Sequence, residues 1–230
     1  MKRTTPKKKD MTRKERAEAF DMALERDYSE AFSALDFNDG WECLVATILS
    51  AQCTDKRVNQ ITPALFEAFP TIESFAKADA KALEPYIHSA GFFRSKANHI
   101  IGSARSVIQQ FNGKVPSDFE SLLTLPGVGR KTANCIRVNV FHLPGLMCDT
   151  HFCRLTKRMD LHDEDDPEKI EYAVGALLPE ARWSLFGHRV ILHGRAICHA
   201  RNPKCPDCSM KDFCPSSTLS TDKKTLKSNY

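Results

Sequence analysis

The chain has no apolar stretch approaching the 18 residues a helical membrane span needs, and its first residues hold no apolar signal region. No alternation of apolar and polar residues marks a half-buried strand. A disulfide framework is equally unsupported, because nine cysteines is an odd number and no secretory segment accompanies them. A reduced, cytoplasmic compartment follows. Strong net charge is also missing, but the total of +4 hides an asymmetry. Residues 1–16 carry eight Lys or Arg against Asp10 and Glu15, a net of +6, which leaves the remainder at −2. The basic tail at 1–11 reads as disordered. It either adds weak, salt-sensitive attraction to nucleic acid or serves as a solvated end that aids solubility. It lacks the amphipathic, Arg- and Ser-rich character of a transit peptide, so organelle targeting is not expected.

What remains is a globular composition. Hydrophobic residues make up 42% of 230 positions and charged residues 27%, enough for one large domain or two small ones. The apolar periodicity is helical nearly throughout. Thr12-Arg13-Lys14-Glu15 reads as a capping box opening a first helix. Asp39 is placed to cap a second, where Trp41, Leu44, Val45, Ile48 and Leu49 recur at helical spacing. Asp55 and Ser95 are candidate starts for two more. Ser117-Asp118-Phe119-Glu120 reads as another capping box, and Asp166-Pro167 as a helix start with proline at the first helical position. A last long helix runs from Trp183 to Ile197. The expected class is all-α, with a Ser/Thr/Lys-rich disordered tail at 216–230.

Four cysteines, Cys198, Cys205, Cys208 and Cys214, stand at the spacing C-x6-C-x2-C-x5-C. Four thiolates within 17 residues are a metal-site signature, for zinc or for an iron–sulfur cluster. Zinc ribbons pair two short knuckles, whereas here only Cys205 and Cys208 are knuckle-like. The other five, Cys43, Cys53, Cys135, Cys148 and Cys153, lie in apolar helical sequence and read as small core residues.

Upstream lies Leu125-Pro126-Gly127-Val128-Gly129-Arg130-Lys131-Thr132-Ala133-Asn134, then Asp149-Thr150-His151. Two glycines at i and i+2 suit a tight turn with positive φ and a close approach to the backbone. The amides of the helix that follows would face outward, where a phosphate accepts from them. Taken alone, Lys131 is a surface lysine and Asp149 a helix N-cap.

The hairpin, the Lys131–Asp149 pair and the cysteine spacing together resemble endonuclease III, a DNA glycosylase family of the helix-hairpin-helix superfamily. The resemblance covers residues 12 to 215. It implies two helical lobes flanking a DNA-binding cleft: a six-helix lobe at 36–143, and a cluster lobe built from 12–35 with 144–215. It implies a [4Fe–4S] cluster on Cys198, Cys205, Cys208 and Cys214, shaping the 199–204 loop so that Arg201 and Lys204 reach phosphates. It makes Lys131 the amine that attacks C1′ of a flipped nucleotide and Asp149 the second catalytic residue. An ordinary lysine is neutral about once in 2,500 molecules at pH 7, so making its amine available costs roughly 4.6 kcal/mol. Gln52 matches the glutamine that enters the vacated space, and Phe92 occupies the position of an apolar wedge. Gly127, Val128, Gly129 and Arg130 would hold the DNA backbone, and His151 would orient or contact it. The implied substrate is duplex DNA carrying oxidised or saturated pyrimidines or abasic sites, cut 3′ to the lesion by a monomer. A bacterial location would be the nucleoid.

Other classes fit less well. Adenine glycosylases of the superfamily replace the lysine and place a glutamate before the glutamine loop, where Leu44 to Leu49 has no carboxylate. They also carry a further C-terminal domain, for which 230 residues leave no room. Thymine-mismatch relatives lack the lysine. A non-catalytic hairpin binder with a structural zinc, or a dedicated electron carrier, would not need Lys131 paired with Asp149.

Overall fold

Short polar side chains decide where the helices begin. Thr12 accepts from the Glu15 amide while Glu15 accepts from the Thr12 amide, a complete capping box ahead of α1 (Arg13–Asp27). Asp39 caps α2 (Gly40–Leu49), and Asp166 caps α10 (Pro167–Gly175), with Pro167 in its first turn. The computed structural model describes residues 11–219. Among them are eleven α-helices and no strand, so the protein is all-α. None of these helices is long and apolar enough to cross a membrane. The basic tail, apart from Met11, and residues 220–230 lie outside the described range.

The chain forms two compact units. One comprises residues 32–145 and holds α2 to α8; counting the hairpin arms α7 and α8 separately gives seven helices where six were expected. Its centre is α2, buried at every residue from Cys43 to Leu49. Around it pack α3 (Asp55–Ala68), α6 (Phe93–Phe111) and α8 (Arg130–Phe141). The short helices α4 (Ile72–Lys77) and α5 (Ala80–Ile87) lie along α6. Phe75 of α4 is fully buried, ringed by Trp41 and Phe69 at 5.4 and 5.3 Å. Burying such a ring contributes roughly 1.5–3 kcal/mol.

The other unit joins residues 11–31 to 146–219. Phe186 of α11 (Glu180–Ala196) packs edge-on against Phe20 of α1 and Phe152 of α9 (Thr150–Arg158), at 5.5 and 5.9 Å. The N-terminal helix is thus part of the C-terminal core. Arg182 adds ion pairs to Asp21 and Glu25 of α1. Chain switches fall at 31/32 and 145/146, where 35/36 and 143/144 were expected.

Helix α3 does start at Asp55, with Thr54 as its cap. Several local expectations need correcting. Helix α6 begins at Phe93 rather than Ser95. It is entered from Gly91 and Phe92 at φ 70° and 48°, with no side-chain cap. Asp118 alone caps α7 (Phe119–Leu123), by accepting from the Ser121 amide, so Ser117 forms no box. Cys53, Cys148 and Cys153 are half-buried rather than core residues. The expected tail begins too early, since Ser217 is buried and Ser216 donates to the Arg158 carbonyl.

Candidate functional site

The hairpin is anchored from behind. Ser103 of α6, fully buried, donates to the Pro126 carbonyl at 2.7 Å. Gly127 has φ +79°, and a Cβ there would lie 2.8 Å from the His99 side chain, so two independent reasons exclude a larger residue. Gly129 differs from its expected role. Its φ is −100°, which any residue adopts, and a Cβ would meet nothing within 4 Å. Val128 is buried in the core of the unit, so its side chain makes no outward contact. Gly129 gives α8 no side-chain cap. The first-turn amides of α8 therefore rely on something other than a capping side chain. Arg130 lays its guanidinium over Phe119, 4.8 Å from the ring centroid. Lys131, second in α8, is exposed.

Two loops of the same unit carry the expected wedge residues. Gln52 follows α2 and Phe92 precedes α6, and both are exposed. Both are non-glycine residues in the left-handed region, at φ 52° and 48°. Such conformations are uncommon and concentrate at functional sites.

In the other unit, Asp149 caps α9, its Oδ1 accepting from the Phe152 amide at 2.8 Å. His151, in the first turn, turns its Nδ1 to the Arg154 guanidinium at 3.1 Å. Arginine only donates, so this ring nitrogen accepts. Burial is the main cause that holds His151 below the usual histidine range, with Arg154 and Arg195 acting the same way against Asp149. Helix α11 passes close because residue 194 is glycine: a Cβ there would lie 2.9 Å from His151 Nδ1.

The end of α11 delivers Cys198, a 3-10 turn carries Cys205 towards Cys208, and Cys214 follows a turn from Met210. None of the nine cysteines, all of them among the described residues, forms a disulfide. Among the described residues no three metal-ligating side chains close on a single-ion position, and the four expected thiols instead line one pocket together. The surroundings are cationic. Arg158 donates to Cys198 Sγ at 3.1 Å, and Lys204 and Lys211 also line the pocket, beside the uncharged Ile197, Pro203, Ser216 and Ser217. Burial pushes the Cys214 thiol up to about 11 and raises that of Cys208, so a metal group is what makes thiolates favourable here. Four soft ligands spread around a basic pocket fit a polynuclear anionic cluster. The 199–204 loop is held by Arg158, which donates to the His199 and Ala200 carbonyls, and by Arg154, which donates to the Cys198 carbonyl. Arg201 and Lys204 remain exposed on it. No motif or periodicity pointed to Lys96, Ser103, Arg154 or Arg158. Their work lies in carbonyls distant in sequence.

Comparisons with known proteins cover both segments. Residues 45–180 match the profile of the HhH-GPD superfamily base excision DNA repair proteins, and residues 198–214 match the iron–sulfur binding domain of endonuclease III. Endonuclease III of Synechocystis sp. is 45% identical over 210 residues, covering 91% of this chain and 96% of the relative. A solved non-covalent endonuclease III–DNA complex superposes with a TM-score of 0.85 at 35% identity, over 90% of this chain and 97% of that one. A trapped covalent endonuclease III–DNA intermediate gives 0.86 at 35%, over 90% and 98%.

Proposed function

The chain belongs to the endonuclease III family of base excision repair DNA glycosylases, with AP lyase activity and a [4Fe–4S] cluster, and we propose that Lys131 and Asp149 carry its chemistry. The observation that carries this reading is Lys131 itself, an exposed amine directly behind a glycine hairpin whose second helix lacks a side-chain cap. A phosphate accepted by the amides of Gly129 and the first turn of α8 holds the DNA backbone without reading its sequence.

The neutral Nζ attacks C1′ of an extruded nucleotide. The C1′–N bond breaks, and the base leaves with the electron pair and takes up a proton. Loss of the amine proton and opening of the sugar ring give a Schiff base. Removal of a C2′ proton then expels the 3′ phosphate and nicks the strand. Asp149 uses Oδ1 as a helix cap, which fixes the carboxylate and leaves Oδ2 for the reaction. It stabilises the cationic sugar that develops as the base departs, and it helps manage the protons of the reaction. Gln52 and Phe92 fill the space the nucleotide vacates, offsetting the few kcal/mol lost in unstacking. His151, held beside Arg154, orients or contacts the DNA backbone. Cys198, Cys205, Cys208 and Cys214 hold the cluster, which supplies a cross-link that shapes the 199–204 loop. Arg201 and Lys204 contact phosphates from that loop.

The substrate class is oxidised or saturated pyrimidines in duplex DNA, processed by a monomer in the cytoplasm, at the nucleoid where the cell is bacterial. Duplexes carrying thymine glycol, dihydrouracil, uracil, oxidised guanine or mismatched adenine test this. Excision concentrated on the first two supports it, and preference for adenine opposite oxidised guanine overturns it.

A further inference from the structure

Lys96 lies near the start of α6, at a position where a lysine ordinarily reaches into solvent. Instead it is 4% exposed. Its Nζ donates to three carbonyls: Leu49 at 2.8 Å, Ala51 at 2.7 Å and Ala90 at 2.9 Å. An ammonium has three hydrogens, so all are spent, and none goes to a carboxylate. A buried charge without an ionic partner is costly unless it is fully hydrogen-bonded. Here the acceptors compensate. Leu49 ends α2, and Ala90 ends a 3-10 turn, so both present the negative end of a helical segment to the amine.

The three acceptors are not scattered. Ala51 immediately precedes Gln52, and Ala90 stands two residues before Phe92. Lys96 also closes the first turn of α6 through its own amide, which donates to the Phe92 carbonyl at 3.0 Å. Gln52 and Phe92 are two of the six non-glycine residues held in the left-handed region among the described residues, and both are exposed. Unconstrained loops relax out of such conformations, which persist only where surrounding bonds determine them. One side chain therefore ties two loops that are separated by about forty residues.

We propose that Lys96 is a positioning residue that couples the Gln52 and Phe92 loops into one two-pronged wedge, so that extrusion of the target nucleotide depends on its ammonium. The proposal rests on the assignment of Gln52 and Phe92 as wedge residues. It makes no contact between Lys96 and DNA. It predicts that loss of the ammonium harms the steps that unstack a base more than the chemistry that follows.

The test compares two rates for each variant: excision of a paired dihydrouracil, and nicking of a preformed abasic site. Extrusion costs least where no base remains to be unstacked. Both rates are normalised to borohydride-trappable enzyme, so unfolded protein drops out. Lys96→Met removes every donor. Lys96→Gln keeps an amide donor and is the variant to read if Lys96→Met does not fold. Gln52→Ala reports on the wedge assignment itself. A 2-aminopurine beside the lesion follows extrusion directly by stopped-flow fluorescence. The expected result is a roughly 10- to 100-fold fall in the excision-to-nicking ratio for the Lys96 variants, with slowed extrusion, of the scale a small misplacement produces. A wild-type ratio in the Lys96 variants beside a lowered ratio in Gln52→Ala overturns the coupling. A wild-type ratio in all three overturns the wedge assignment, and the coupling with it.

Discussion

Gly127 and Gly129 stand two residues apart in one hairpin, yet the structure assigns them opposite costs. At Gly127 an alanine is held at φ +79°, with its Cβ 2.8 Å from His99. The left-handed conformation costs on the order of 1–2 kcal/mol. Relieving the overlap adds a similar amount, so Gly127→Ala should lose roughly 2–4 kcal/mol. At about 2–4 °C per kcal/mol for a chain of this size, its melting temperature should drop by roughly 5–15 °C. At Gly129 an alanine meets no strain and no neighbour, and it should leave stability unchanged or raise it by up to about 1 kcal/mol. That added methyl enters open space beside the amides proposed to hold a phosphate. Gly129→Ala should therefore weaken binding to duplex DNA roughly tenfold or more, the scale of one hydrogen bond to a charged group. Differential scanning calorimetry and fluorescence anisotropy at fixed salt read the two effects. Normal melting of Gly127→Ala would refute the conformational argument, and wild-type DNA affinity of Gly129→Ala would refute the phosphate role of the hairpin backbone.

The same reasoning reaches other residues. Protein purified without oxygen should be brown with about four irons per chain. Cys214→Ala should reduce iron to roughly one per chain or less and lower the melting temperature of the unit containing residues 146–219; full iron content in that variant would remove Cys214 from the ligand set. His162 is buried with Nε2 3.0 Å from Thr156 Oγ1, and burial is the main cause lowering its pKa. The unfolded chain then binds more protons below the ordinary value of about 6.5, so stability falls as pH drops from there towards the lowered folded value. Urea unfolding from pH 7 to pH 5 should accordingly show a smaller stability advantage over His162→Gln at the acid end, and a constant difference would contradict the buried neutral ring.

Local signals were legible in the sequence where the physics is local. Thr12, Asp39 and Asp166 cap helices with amides two or three residues away, and the residue type alone announces that. The cysteine spacing and the hairpin were legible for the same reason, since each motif is contiguous. The start of α6 was not, because the chain enters it through two left-handed residues and offers no capping side chain. Lys96 was hidden because its burial depends on carbonyls up to 47 residues away. The distinction between the two hairpin glycines required the position of His99, which no local pattern gives. Arg158 likewise reads as a surface arginine until the 199–204 loop folds onto it.

The central claim is that Lys131 supplies the attacking amine. Borohydride reduction of the enzyme on a thymine glycol duplex, followed by digestion and mass spectrometry, locates the covalent sugar adduct directly. The account predicts a single adduct on Lys131, absent from Lys131→Gln, which still binds DNA through the hairpin amides. An adduct on another amine, or trapping of Lys131→Gln at the wild-type rate, would contradict it.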